Sequence, residues 1–149
     1  VGIVWKVFRA LRRVGRLSQL ELAVEIGLSQ TPCARRVKKL EAEGYIRGYT
    51  ALIDEEMLGF GFSIFVSVRL DKQVDERLVT FEESVARYQE VVDCWLMTGG
   101  FDYLLRIAVS DLHEFERFLT QKLTKIEGVA SIESSIPLRR VKESVARLM

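Results

Sequence analysis

Residues 28–51 read LSQTPCARRVKKLEAEGYIRGYTA, and the division of this stretch decides the fold of the first third of the chain. Ser29 is one candidate N-cap; Thr31 is another, with Pro32 then at the first helical position, where its missing N–H costs nothing. Cys33, Val37 and Leu40 fall on one helical face and should be buried. At about 100° per residue, Thr31, Arg35, Lys38 and Lys39 point the other way, with Arg36 on the flank. The free N–H groups of the helix start, at Ser29, Gln30 and Thr31, suit a phosphate, and the basic side chains can neutralise more. Thr31, Arg35 and Lys38 also have the reach and donors for base edges in a major groove. A solvated basic face would account for a helix of this kind in isolation.

The residues before it argue for more. Ile3, Val4, Val7, Phe8, Leu11 and Val14 recur at helical spacing, which predicts a helix over 3–13 ended by Gly15. Ser18 and Glu21 form an S-x-x-E capping box for a second helix burying Leu22, Ala23 and Ile26. Gly27 stops that helix by adopting the left-handed turn. A short helix, a glycine turn and a capped basic helix in succession form a helix-turn-helix. Charge agrees: residues 1–50 carry a net of +6 and residues 51–149 a net of −5, so the overall +1 conceals a basic module joined to an acidic one.

After the basic helix, Tyr45–Ile53 is rich in β-formers and is expected to be a strand leaving the module. Asp54–Gly61 (DEEMLGFG) reads as a turn and marks the boundary. The expected organisation is a DNA-binding domain over 1–50, a linker strand and turn over 51–61, a second domain over 62–138, and a tail over 139–149.

The second domain alternates strands and helices. FSIFVSVRL (62–70) places Phe62, Ile64, Val66, Val68 and Leu70 on one face. The next segment, 74–88, has Leu78, Phe81, Val85 and Tyr88 at helical spacing. Strands follow at 91–98 and 102–110, the latter with Tyr103, Leu105, Ile107 and Val109 on one side. Asp111 and Glu114 open a helix expected to bury Leu112, Phe115, Leu119, Leu123 and Ile126, and 129–138 closes as a strand. The fold class is therefore α+β: a helix-turn-helix followed by a ferredoxin-like βαββαβ domain. Its helices cover one sheet face. The other carries Phe65, Trp95, Met97, Leu104 and Ala108 among Ser63, Ser67, Arg69 and Arg106. Burying a Phe or Trp is worth about 1.5–3 kcal/mol, so this face is expected to be covered by a second copy in a two-fold dimer. Two linked helix-turn-helix units would suit a palindromic operator in double-stranded DNA.

Gly99-Gly100 is a two-residue hairpin signal. Thr98, Asp102 and Tyr103 beside it suggest that the hairpin also binds a ligand, since a carboxylate and glycine N–H groups together suit an amino acid zwitterion.

Other classes find little support. The single histidine, His113, has no partner motif; Cys33 and Cys94 are expected to be reduced, buried thiols; and no glycine-rich phosphate loop, CxxC or HExxH occurs. Neither catalysis, a metal nor a cofactor is expected. With no apolar run near 20 residues and no signal pattern, a cytoplasmic protein is expected. A ligand-binding module without gene control, or an architectural DNA-binding protein with little sequence preference, remain the alternatives.

The chain resembles the Lrp/AsnC (leucine-responsive or feast/famine) regulators in GRLSQLELA (15–23), GLSQTPCARRVKKLEAEGYIRGYTALID (27–54), TGGFDYLLRI (98–107) and GVASIESS (128–135). The resemblance implies a transcriptional regulator with a winged or plain helix-turn-helix, a ligand-sensing βαββαβ domain, and dimers that often form octamers. It implies an amino acid or related effector near Thr98, Gly99, Gly100, Asp102 and Tyr103, with Ser134 and Ser135 contributed by a neighbour. Two departures stand out. Val1 and Val4 occupy positions where the family usually has acids in the first helix. The end, RRVKESVARLM, carries a short amphipathic pattern through Val141, Val145 and Leu148, read either as a modifier of assembly or as a frayed tail.

Overall fold

The computed structural model describes residues 2–149, so the departure noted at Val1 lies outside the described residues. Contacts divide the chain into two units, 1–52 with 141–149, and 53–140.

The first unit is a three-helix module: α1 (Gly2–Arg13), α2 (Gln19–Ile26) and α3 (Gln30–Ala42). Val7, Ala10, Leu22, Ala23, Ile26, Cys33, Val37 and Leu40 form its core, as the 3.6-residue spacing requires. Ser18 Oγ accepts the Glu21 N–H at 3.1 Å, the forward half of the expected capping box. Gly27 closes α2 at φ +78°, its N–H on Ala23 O at 3.0 Å. Ser29 rather than Thr31 is the N-cap of α3, and its hydroxyl makes no capping bond.

The expected strand over Tyr45–Ile53 is not formed. The segment runs as a turn and then as irregular chain, with Tyr45, Tyr49, Leu52 and Ile53 exposed. β-propensity measures fit to a neighbouring strand, and among the described residues this segment has none. The tail is not helical, and it does not fray freely either. Arg9 Nη1 donates to Met149 O at 2.7 Å, Arg12 Nη1 donates to Ala146 O at 3.1 Å, and Leu148 is half-buried.

In the second unit, β1 (Phe62–Leu70), α4 (Asp75–Ala86), β2 (Val91–Leu96), β3 (Tyr103–Val109), α5 (Leu112–Gln121) and β4 (Val129–Ser135) follow one another, with a 3-10 turn at Leu123–Lys125. The sheet is antiparallel in the order β2-β3-β1-β4, the ferredoxin-like arrangement. Ile64, Val66 and Val68 from β1 meet Leu105, Ile107 and Val109 from β3 beneath Phe81, Phe115 and Phe118 of the helices. Asp111 caps α5 through Glu114 N–H at 2.8 Å. Leu112, expected in the core, is exposed: it sits in the first helical turn, ahead of the stripe led by Phe115. Before β1, Asp54–Gly61 forms a compact turn. Asp54 Oδ1 accepts from Met57 N at 3.2 Å, Phe60 N reaches Glu55 O at 2.8 Å, and Gly59 takes φ +92°. Glu55 then anchors this turn to Arg106 of β3 at 2.9 Å.

Candidate nucleic-acid interface and effector site

All seven residues expected to meet DNA, Ser29, Gln30, Thr31, Arg35, Arg36, Lys38 and Lys39, are exposed on α3, while Cys33, Val37 and Leu40 are buried beneath them. This separation is the one a groove-reading helix needs. The core holds one face, leaving the other free to approach a duplex without unpacking the module. Ser29, with no capping duty, keeps its hydroxyl available. Lys39 is loosely paired with Glu43 at 3.9 Å, and the pair is too exposed to hold it firmly. Arg13 is engaged by an ion pair to Glu25 of α2. Counted over the whole unit, twelve Lys/Arg face five Asp/Glu, a net of +7; the other unit carries −6.

The hairpin between β2 and β3 is less simple. Thr98, Gly99 and Gly100 are exposed, with Gly99 at φ +107°. Asp102 is only 4% exposed. Its Oδ2 accepts the Leu70 N–H at 2.7 Å and its Oδ1 accepts from Gln73 Nε2, while Asp102 N–H donates to Val68 O at 2.9 Å. The carboxylate that the sequence offers to a ligand ammonium is thus committed to the end of β1. Tyr103 is buried as well. Its ring stacks on Phe81 at 4.4 Å and its hydroxyl donates to Glu82 Oε2; burial, then that carboxylate, push the phenol well above its usual range. Both residues brace the hairpin from behind.

Ser134 and Ser135 also separate. Ser134 pairs with Val66 and so lies on the helix-covered side, whereas Ser135 pairs with Phe65 on the bare side. Pleat alternation thus sends these two neighbours to opposite faces of the sheet.

On the bare face beside the hairpin, the structure brings together a group that lies scattered in the sequence. Ser67 pairs with Glu133 and Arg69 with Ser131, so these four share one face, and with Gly100 and Phe101 they line a cleft of about 380 Å³. Arg69 donates through Nε to Gly100 O at 3.0 Å and also through Nη2. Alternation places Ser67 and Arg69 on this face; the register of β4 is needed to add Ser131 and Glu133. Farther along, Phe65 and Met97 are each 38% exposed and Trp95 is 62% exposed, Leu104 is half-buried, and Ala108 is buried. Cys33 is buried as expected, but Cys94 is exposed, because β2 is the sheet edge and α4 covers it only in part.

Residues 63–146 match the Lrp/AsnC ligand binding domain, and residues 3–47 match a winged helix-turn-helix DNA-binding domain. The chain belongs to the Lrp/AsnC family. This Lrp/AsnC protein is 49% identical over 136 residues to the Bkd operon transcriptional regulator of Pseudomonas aeruginosa, covering 91% of this chain and 89% of that one. It is 34% identical to the leucine-responsive regulatory protein of Escherichia coli K12, covering 93% and 84%. A transcriptional regulator of Neisseria meningitidis, solved as its L-Met complex, superposes with a TM-score of 0.93 at 32% identity, covering 97% of this chain and 94% of that one. The Lrp/AsnC chain is thus a DNA-binding transcriptional regulator with a ligand-binding domain. Among its described residues, no helix is long and apolar enough to cross a membrane.

Proposed function

We propose that this regulator places α3 in the major groove of a palindromic operator, as a two-fold dimer, and that an aliphatic amino acid bound at the hairpin end of its sheet tunes that binding. The observation that carries the reading is the division of α3, with the basic residues Arg35, Arg36, Lys38 and Lys39 outward and Cys33, Val37 and Leu40 inward. Thr31, Arg35 and Lys38 are the base-reading residues, and Lys39, Arg36 and the Ser29–Gln30 end hold phosphates. Working beside the chromosome, it acts in the cytoplasm. Replacing Arg35 by Ala should cost about 1–3 kcal/mol on a selected duplex and relax preference at the base it reads. A competition titration in which Arg35→Ala keeps both affinity and preference would refute this.

The effector reading rests on the cleft of Ser67, Arg69, Ser131 and Glu133 and on two relatives, one named leucine-responsive and one solved with L-Met. Arg69 supplies a fork for a carboxylate, Glu133 an acceptor for an ammonium, and Phe101 an apolar wall. Arg69 already holds Gly100 O, so a ligand carboxylate would compete with the hairpin for it. The exposed Phe65, Trp95 and Met97 favour coverage of the same face by a second copy. Calorimetric titration of L-Leu and L-Met against wild type and Arg69→Gln tests the site; undiminished heat in the variant would remove Arg69 from it.

A further inference from the structure

The turn after α3 is held from several directions. Gly44, at φ +86°, lets the chain reverse, its N–H on Glu41 O at 3.1 Å, and Ile46 N–H reaches back to Leu40 O at 3.2 Å. The Tyr45 ring lies 6.2 Å from Phe8 of α1, and Ile46 packs on the three-helix core. Tyr49 turns toward the module: burial, then the nearby Glu41 carboxylate, raise its phenol above the usual range, and its Cδ1 stands 4.0 Å from where a Cβ on Gly15 would be. Ile46 therefore fastens the turn, and Tyr45 and Tyr49 lean on the module while staying largely exposed. Arg47, between them, does neither and is exposed. Arg16, next to Gly15 on the loop that Tyr49 approaches, is exposed too. The other arginines ahead of α3 are engaged: Arg9 and Arg12 hold tail carbonyls, and Arg13 holds Glu25.

We infer that Arg16 and Arg47, carried on two neighbouring loops, form a second contact to DNA, made to backbone phosphates and indifferent to sequence. The inference rests on the reading of α3 as the groove helix. Three considerations select phosphate as the partner. Both side chains belong to the +7 unit, where a polyanion is attracted as a whole. A guanidinium matches phosphate oxygens with paired donors. A braced turn loses little freedom on binding, so its arginine delivers more of its contact energy than one on a loose arm. Contacts of this type set position along the duplex and carry no sequence information of their own.

Salt dependence provides the test. Each phosphate contact contributes about 0.9 to the slope of log affinity against log salt, so losing one changes the variant-to-wild-type ratio about 3.5-fold between 50 and 200 mM salt. Full-length wild type, Arg16→Gln, Arg47→Gln and the double variant are titrated against a duplex selected from a random library and against a random duplex of the same length. Arg35→Ala and Arg47→Lys serve as controls, and melting curves verify folding. Because the dimer carries each substitution twice, the expected result is a slope lower by about 1.8 for each single variant, equal on both duplexes, with Arg47→Lys retaining the wild-type slope. A double variant with the wild-type slope, while Arg35→Ala loses preference for the selected duplex, overturns this inference and leaves α3 in place. Unchanged binding in both the double variant and Arg35→Ala overturns the α3 reading and the second contact together.

Discussion

Asp102 separates two accounts of the hairpin, one in which its carboxylate meets a ligand and one in which it holds β1. The structure favours the second, and the cost of removing the side chain can be worked out from its bonds. Asp102→Ala leaves the buried Leu70 N–H without its acceptor at 2.7 Å, and an orphaned buried donor costs about 1–3 kcal/mol. The Gln73 amide is exposed and can turn to water, so its lost bond adds little. With the small void left by the carboxylate, the total is about 2–3 kcal/mol, a fall in melting temperature on the order of 10 °C for a domain of this size. Asp102→Asn keeps an oxygen for Leu70 and sets an amide against Gln73, which can flip its own amide to match. It should cost about 1 kcal/mol or less. Urea unfolding of both variants, paired with L-Leu and L-Met titrations corrected for stability, reads the two effects apart. The reasoning fails if Asp102→Asn is as stable as wild type yet abolishes ligand binding, because the carboxylate would then serve the ligand and not the strand.

Three further outcomes follow from particular atoms. Ser18→Ala should lose about 1 kcal/mol in thermal unfolding because Ser18 Oγ caps α2, while Ser29→Ala should lose almost none, its hydroxyl making no cap bond, and should instead weaken DNA binding. A Ser29→Ala loss equal to that of Ser18→Ala would contradict this. Although Cys94 is exposed as a residue of the edge strand, its thiol faces the helix-covered side beside Leu105, and burial there, then Glu82, push it up to about 11. The fold therefore holds the neutral thiol, a contribution complete at neutral pH and fading as pH climbs toward that value. Its alkylation by iodoacetamide should rise about tenfold per pH unit through pH 9 and 10, and a plateau below pH 10 would show an ordinary thiol. Trp95→Glu, on the bare face, should shift sedimentation equilibrium toward monomer at micromolar concentration, and an unchanged dimer would place the interface elsewhere.

Periodicity made most of the fold legible. The stripe of Val7, Leu22, Ile26 and Val37, and the alternation of Ile64, Val66 and Val68 against Leu105 and Ile107, each state a period and a face, and the structure buries them. What the sequence misjudged shares one cause, dependence on a partner that local pattern cannot name. Tyr45–Ile53 has strand composition and finds no neighbouring strand among the described residues. Cys94 reads as core and lies on an edge strand, a position fixed only by the order β2-β3-β1-β4. The tail shows an amphipathic period yet docks as irregular chain because Arg9 and Arg12 take its carbonyls.

The candidate effector residues show the same limit at closer range. A run such as Glu133-Ser134-Ser135 presents polar groups in series, and along a strand consecutive side chains go to opposite faces. Glu133 and Ser135 share the bare face, and Ser134 lies on the other side. Register then decides which residues of a separate strand complete the group: Ser67 opposite Glu133, and Arg69 opposite Ser131. A slip of one residue would exchange Arg69 for Val68 and dissolve the cleft. The hairpin follows the same logic. Asp102 N–H and carboxylate both bind the end of β1, and the Arg69 side chain returns to Gly100 O, so strand and hairpin are tied from both partners. A ligand that takes Arg69 therefore loosens one of these ties and leaves the Asp102 bonds intact. That arrangement lets the glycine tip respond while the base of the hairpin stays fixed.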